Sequence, residues 1–215
     1  MQTVAALNRR SDPEFGGDNR AEPRMRLLYR TAKLIWDDHE ILTVVRNVSR
    51  KGLAIRTFGA IDFPAQMKIE LANGTVLPVK KEWQNEDSCG ASFRSPIDVE
   101  QFLATAPPGM ARRPLRARVD YRATLKDTDW QRPALIRDIG VGGALLELDY
   151  PLDKYRSPEL AIGSLGSRTC VVRWSRRNCF GVEFSHPFPF TALAEWVVRI
   201  ARNRNAGDQA PHSAG

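Results

Sequence analysis

Trp83-Gln-Asn-Glu-Asp-Ser-Cys-Gly90-Ala-Ser-Phe93 returns 91 positions later as Trp174-Ser-Arg-Arg-Asn-Cys-Phe-Gly181-Val-Glu-Phe184. The Trp, Gly and Phe stay in one register. The same offset of 91 separates Asn47 from Asp138, Gly52 from Gly143 and Pro96 from Pro187. Arg24 and Arg116 are 92 apart, so one residue is gained or lost between that arginine and the following glycine motif. Self-similarity held over this span marks two copies of one fold.

Outward from these stretches the chain reads as short strands. Ala32–Trp36 and Ile41–Val48 flank the polar turn Asp37-Asp38-His39. Met67–Leu71 alternates apolar and polar, the period of a half-buried strand. Asn73-Gly74 follows, a strong hairpin signal, and Thr75–Trp83 is the return strand. Cys89–Phe93 is one more strand, after the turn Asn85–Ser88. Ile97–Ala104 then takes helical spacing, with Asp98 as its N-cap. The second half repeats the order: Ala123–Leu125, Leu135–Ile139, Ala144–Leu148, Glu159–Ile162, Thr169–Trp174 and Phe180–Phe184. It closes on Phe190, Leu193, Ala194, Val197, Ile200 and Ala201, one face of an amphipathic helix. Many short strands with regular turns predict a small barrel or sandwich in each half. A barrel also removes open sheet edges. Trp83 and Trp174, on strands, are expected to pack the barrels.

The 215 residues allow two domains of roughly 100 residues each, enough for a modest core. Residues 1–19 read as a polar arm, 20–105 as the first domain, and 106–111, around Pro107-Pro108-Gly109, as a linker. Residues 112–205 form the second domain with its helix, and 206–215 a loose tail. Net charge is +7, which favours anionic partners. Cys89, Cys170 and Cys179 are odd in number and lack CxxC spacing, which argues against disulfides or zinc, and Cys89 and Cys170, in strand-like runs, are expected as buried free thiols. No apolar run approaches the ~20 residues of a membrane span. With no signal-peptide core at the N-terminus, a cytoplasmic setting is expected.

Two arginine clusters each precede a barrel: Arg20-Ala-Glu-Pro-Arg24-Met-Arg26 and Arg112-Arg113-Pro-Leu-Arg116-Ala-Arg118. A guanidinium donates paired hydrogen bonds to phosphate and stacks on purine rings. About twenty residues on comes Asn47-Val-Ser49-Arg-Lys-Gly52, between two strands. Its residue types suit a tight turn. In extended backbone, positions two apart share a face, so Asn47 and Ser49 can also address one ligand. Their donors and acceptors match a guanine edge. Gly52 permits an approach that a Cβ would block.

RxxxR, then (D/N)xSxxG, then a Trp strand and a Gly-x-x-Phe strand together resemble the PilZ domain family. The resemblance covers roughly residues 20–105 and 112–203. It implies a mainly β fold of two tandem six-stranded barrels, each followed by a short α-helix. It further implies a receptor for cyclic di-GMP, with no other cofactor and no catalysis. The residues carried over are Arg20 and Arg24, toward phosphates and guanine, and Asn47, Ser49 and Gly52 at the turn. In the second copy Arg112, Arg116, Asp138 and Gly143 match, giving a candidate secondary site. Gly140 stands there where serine is expected. Losing that hydroxyl removes about 0.5–1.5 kcal/mol of net hydrogen bonding, so weaker binding or a structural role is expected.

His39, His186 and His212 are scattered, without metal or proton-relay spacing, and His39 is expected to be solvated in its turn. Ser49 has no His/Asp partner for nucleophilic chemistry. There is no P-loop or GxGxxG. A ligand-independent adaptor that contacts a protein partner is the competing function. Nucleic acid is disfavoured, because the arginines cluster away from the aromatics.

Overall fold

The structure is a computed structural model that describes residues 25–104, 114–153 and 156–208. Within the strands and helices, the side chains of residues 25–29 and 205–208 are not described. The expected arm (1–19), the linker (106–111) and Arg20, Arg24 and Arg112 lie outside the described residues.

Each half closes into a six-stranded antiparallel barrel. The first comprises β1 (Met25–Trp36), β2 (His39–Val48), β3 (Gly52–Arg56), β4 (Gln66–Leu71), β5 (Val76–Gln84) and β6 (Ser88–Phe93). The short helix α1 (Val99–Leu103) follows. The second comprises β7 (Ala117–Lys126), β8 (Gln131–Gly140), β9 (Gly143–Glu147), β10 (Glu159–Ala161), β11 (Ser167–Arg176) and β12 (Cys179–Phe184). Helix α2 (Phe190–Asp208) closes the described chain. The rings run β1-β2-β3-β6-β5-β4 and β7-β8-β9-β12-β11-β10, one topology used twice.

Cross-strand pairs show how alternation fills the first barrel. Leu34 faces Ile41 on one side and Ile69 on the other, and all three are fully buried. Turn chemistry sets the ends. Gly74 takes φ +84, and the Asn73 carboxamide oxygen accepts from Thr75 N at 3.0 Å. Asp98 caps α1 as expected, accepting from Glu100 N and Gln101 N.

Two expectations change. His39 is not solvated. The register sets it opposite Trp36 on the same face, and the rings stack at 5.4 Å with 7° between planes. The helix expected after the second barrel is present and runs 19 residues. It extends into the segment expected as tail, and the Arg204 guanidinium anchors it to the Val119 carbonyl.

Helix α2 is buried over a wide arc because it serves both barrels. Trp196 meets the edge of Tyr121 in the second barrel at 5.0 Å. Phe190 meets Phe58 of the first at 5.7 Å, and Val198 sits against Gly59. Strand β2 therefore has both faces covered: Ile41 and Val45 inside, Leu42 and Val44 outside. Beside this apolar seam, Lys33 bridges Glu40 (3.1 Å) and Glu70 (3.0 Å), and Glu40 accepts from Arg118 N at 2.9 Å. The lysine is only 8% exposed, so its two carboxylates offset the loss of water.

Cys89 and Cys170 are buried as expected, while Cys179 is half-buried. Burial pushes the Cys89 thiol up to about 11, with Lys81 pulling weakly the other way. Burial alone pushes Cys170 up to about 12. Thiolate is the reactive form. Native protein should therefore release one equivalent of Ellman chromophore rapidly, from Cys179, and two more only after unfolding. The unfolded chain loses these protons at lower pH than the folded one. Between the ordinary thiol value and about 11 the folded state binds more protons, so this contribution to stability falls as pH rises.

Candidate ligand site

Strand β2 carries the motif out of the first barrel. Val48 points inward and is fully buried, while Asn47 and Ser49 flank it on the outer side, half-buried. The two polar side chains thus share a face. Asn47 pairs with Arg26 of β1 and Ala54 of β3. No hydrogen bond of its carboxamide is present among the described residues. Its donor and acceptor are both available.

The turn after Asn47 is pinned from two sides. Ser49 N donates to Gly52 O at 2.8 Å. The Ser49 hydroxyl donates to the same oxygen at 3.2 Å and accepts from Gly52 N at 3.3 Å and Lys51 N at 3.4 Å. From the far side, Phe93 N donates to Lys51 O (2.8 Å) and Ile97 N to Arg50 O (2.9 Å). The tip is rigid and basic, with Arg50 and Lys51 exposed. The hydroxyl is folded onto the turn, however, and must rotate to meet a ligand.

Gly52 has a packing reason of its own. A Cβ there would lie 2.5 Å from the Ala91 carbonyl oxygen across the β3–β6 pair. Gly143 repeats the constraint, at 2.2 Å from Val182 O. The pinning bonds repeat too: Phe184 N donates to Gly142 O at 2.9 Å and Phe188 N to Val141 O at 2.8 Å.

The second motif differs in what fills it. Arg116 Nη1 donates to Asp138 Oδ1 at 3.0 Å. A Cβ on Gly140 would stand 2.8 Å from Leu115 O and 3.1 Å from Arg116 Cγ. The chain before β7 therefore lies over Gly140 and pairs Arg116 with one oxygen of Asp138. The spacing of the motif does not reveal this pairing. Only the β7–β8 register, which sets Arg118 opposite Asp138, brings the two elements together.

Residues 111–199 match the family model of the PilZ domain. The second barrel is a PilZ domain. The match lies on this PilZ barrel, and the first barrel shares its strand order. No curated protein matches the chain in sequence. Among solved structures the chain is similar to the Bacillus subtilis inhibitor of motility MotI/DgrA: 15% identity over 82% of this chain and 97% of that one, TM-score 0.35. It is similar to Borreliella burgdorferi PlzA in complex with c-di-GMP: 14% identity, 83% and 94% covered, TM-score 0.34. It is also similar to Escherichia coli YcgR in complex with c-di-GMP: 15% identity, 84% and 87% covered, TM-score 0.32.

Both repeat tryptophans lie outside the barrels, contrary to expectation. Trp83 pairs with Gly90, whose parity is opposite to that of buried Ala91, so both face outward. Its indole lies on Gly90, where a Cβ would stand 2.1 Å from Nε1, and Trp174 lies on Gly181 in the same way. This explains why Trp and Gly recur together. The rings remain 41% and 50% exposed. Arg173, Arg176 and Arg177 are exposed close to Trp174 in sequence, so basic and aromatic residues do adjoin here. Among the described residues no cluster of metal-ligating side chains occurs, and no helix is long and apolar enough to cross a membrane.

Proposed function

We propose that the chain is a receptor for cyclic di-GMP and that its first barrel holds the ligand through Arg20, Arg24, Asn47, Ser49 and Gly52. The observation that carries this reading is the half-buried Asn47 carboxamide, without a hydrogen-bond partner among the described residues and beside a basic, backbone-pinned turn. A guanine edge offers an acceptor and a donor that complement those of this amide. Arg20 and Arg24 lie just ahead of β1 in sequence and supply phosphate contacts. The PilZ match on the second copy of the fold supports the same ligand class.

The functional division is then 20–105 as the binding unit and 112–205 as its unequal partner. Arg112, Arg116, Asp138 and Gly143 form at best a weaker secondary site. The Arg116–Asp138 pair already engages one donor of the arginine and one oxygen of the aspartate, so a ligand competes with it there. That paired motif favours an adaptor role for the second barrel, in which it contacts a protein partner without ligand. Engagement of ligand by Arg20 and Arg24 gives binding a means of changing that contact, since a ligand shifts a conformational equilibrium by its preference for one state.

Calorimetric titration of the full chain with cyclic di-GMP tests the proposal. The expected result is micromolar or tighter binding at one site per chain. A flat titration at the same concentrations contradicts it. Random oligonucleotides, run as a control, should bind more weakly and with a steeper salt dependence.

A further inference from the structure

The duplicated Trp–Gly platforms carry opposite charge at their hairpin tips. In the first barrel the β5–β6 tip reads Trp83-Gln-Asn-Glu86-Asp87, and in the second the β11–β12 tip reads Trp174-Ser-Arg176-Arg177-Asn. Glu86, Asp87, Arg176 and Arg177 are all exposed. Neither Glu86 nor either arginine has an ion-pair partner among the described residues. Arg173, by contrast, is held by Glu183. Beside Trp174 the arginines border a groove of about 550 Å³ that also includes Leu145 and Cys179. Its occupant must be both apolar and anionic. The other tip of this chain has that composition.

The two tips do not serve one another within one chain. Strand β2 abuts the second barrel through α2 and β7, and β5 lies three strands round the ring from β2. Trp83 therefore faces away from the inter-barrel seam. Strand β11 lies two strands round its ring from β7, the strand that meets the first barrel.

We infer that two copies of the chain associate antiparallel, with the acidic Trp83–Asp87 tip of each seated on the basic Trp174–Arg177 groove of the other. Because one chain carries both halves, a two-fold axis forms the contact twice and closes the assembly as a dimer. Each tryptophan, covered on one face by glycine, buries its open face in the contact.

Sedimentation equilibrium of the full chain at about 100 µM and ~50 mM salt should show a dimer, which weakens as salt approaches ~500 mM and the Debye length contracts. The double charge reversal R176E/R177E should give monomer, and so should E86R/D87R. A chain carrying all four changes should recover the dimer. Circular dichroism of each variant should match the parent, because all four side chains are exposed. A monomeric parent, dimerisation unaffected by either reversal, or failure of the fourfold variant to recover would overturn the inference. Arg176-dependent binding of single-stranded oligonucleotide to a monomeric parent would instead assign the groove to nucleic acid.

Discussion

Arg24→Ala lowers the affinity of the full chain for cyclic di-GMP by about 100-fold, the largest functional effect expected of a single substitution. Loss of one net charge-assisted hydrogen bond to a phosphate costs about 1.5–3 kcal/mol, and ~2.7 kcal/mol, within that range, corresponds to that ratio. Ser49→Ala should cost less, about tenfold at most, because one neutral hydroxyl is worth 0.5–1.5 kcal/mol. Part of its effect is indirect, since the same hydroxyl braces Gly52. The order of the two effects is informative. A turn that merely needed its brace would make Ser49→Ala the worse variant and leave Arg24→Ala silent. Calorimetry on both variants, with melting temperature as the control for folding, separates these outcomes.

The largest effect on stability is expected at Gly143. A Cβ there would stand 2.2 Å from the Val182 carbonyl oxygen, a backbone atom that cannot swing aside. Gly143→Ala must therefore spread the β9–β12 pair and disturb the neighbouring Phe184–Gly142 bond. Overpacking of this kind costs about 3 kcal/mol. For a chain of this size that lowers the melting temperature by about 10 °C. Gly142 provides the internal comparison. A Cβ there meets nothing within 4 Å, so Gly142→Ala should be neutral or slightly stabilising. Equal losses in the two variants would mean that the strand contact is not what requires the glycine. Gly181→Ala should fall between them, because the obstructing atoms belong to the Trp174 indole, which can rotate outward.

The repeat made the fold legible. One offset of 91 predicted that whatever the first half forms, the second forms again, and two rings of the same order result. Alternation at Met67–Leu71 and the turn at Asn73-Gly74 place β4 and its hairpin because both signals are local. The Asn47/Ser49 face was legible for the same reason: period two holds along any extended segment. What remained hidden depends on cross-strand register. His39 reads as a turn residue until the register sets it opposite Trp36. Trp83 reads as core until its glycine partner shows which side of the sheet it occupies. The Arg116–Asp138 pair joins residues 22 positions apart, and no local pattern signals it. Nor does one helical stripe announce that α2 contacts a second barrel. That shows only in the arc of burial, which includes Trp196, Val197 and Val198 together.

Ligand is proposed to occupy the first motif in preference to the second. Amide proton–nitrogen correlation spectra of the full chain, recorded as cyclic di-GMP is added, test it most directly. The backbone amides of Ser49 and Gly52 and the Asn47 side-chain amide are expected to move until the site is full, while Gly140 and Gly143 stay in place. Movement confined to Gly140 and Gly143, or no movement at either motif, would contradict it.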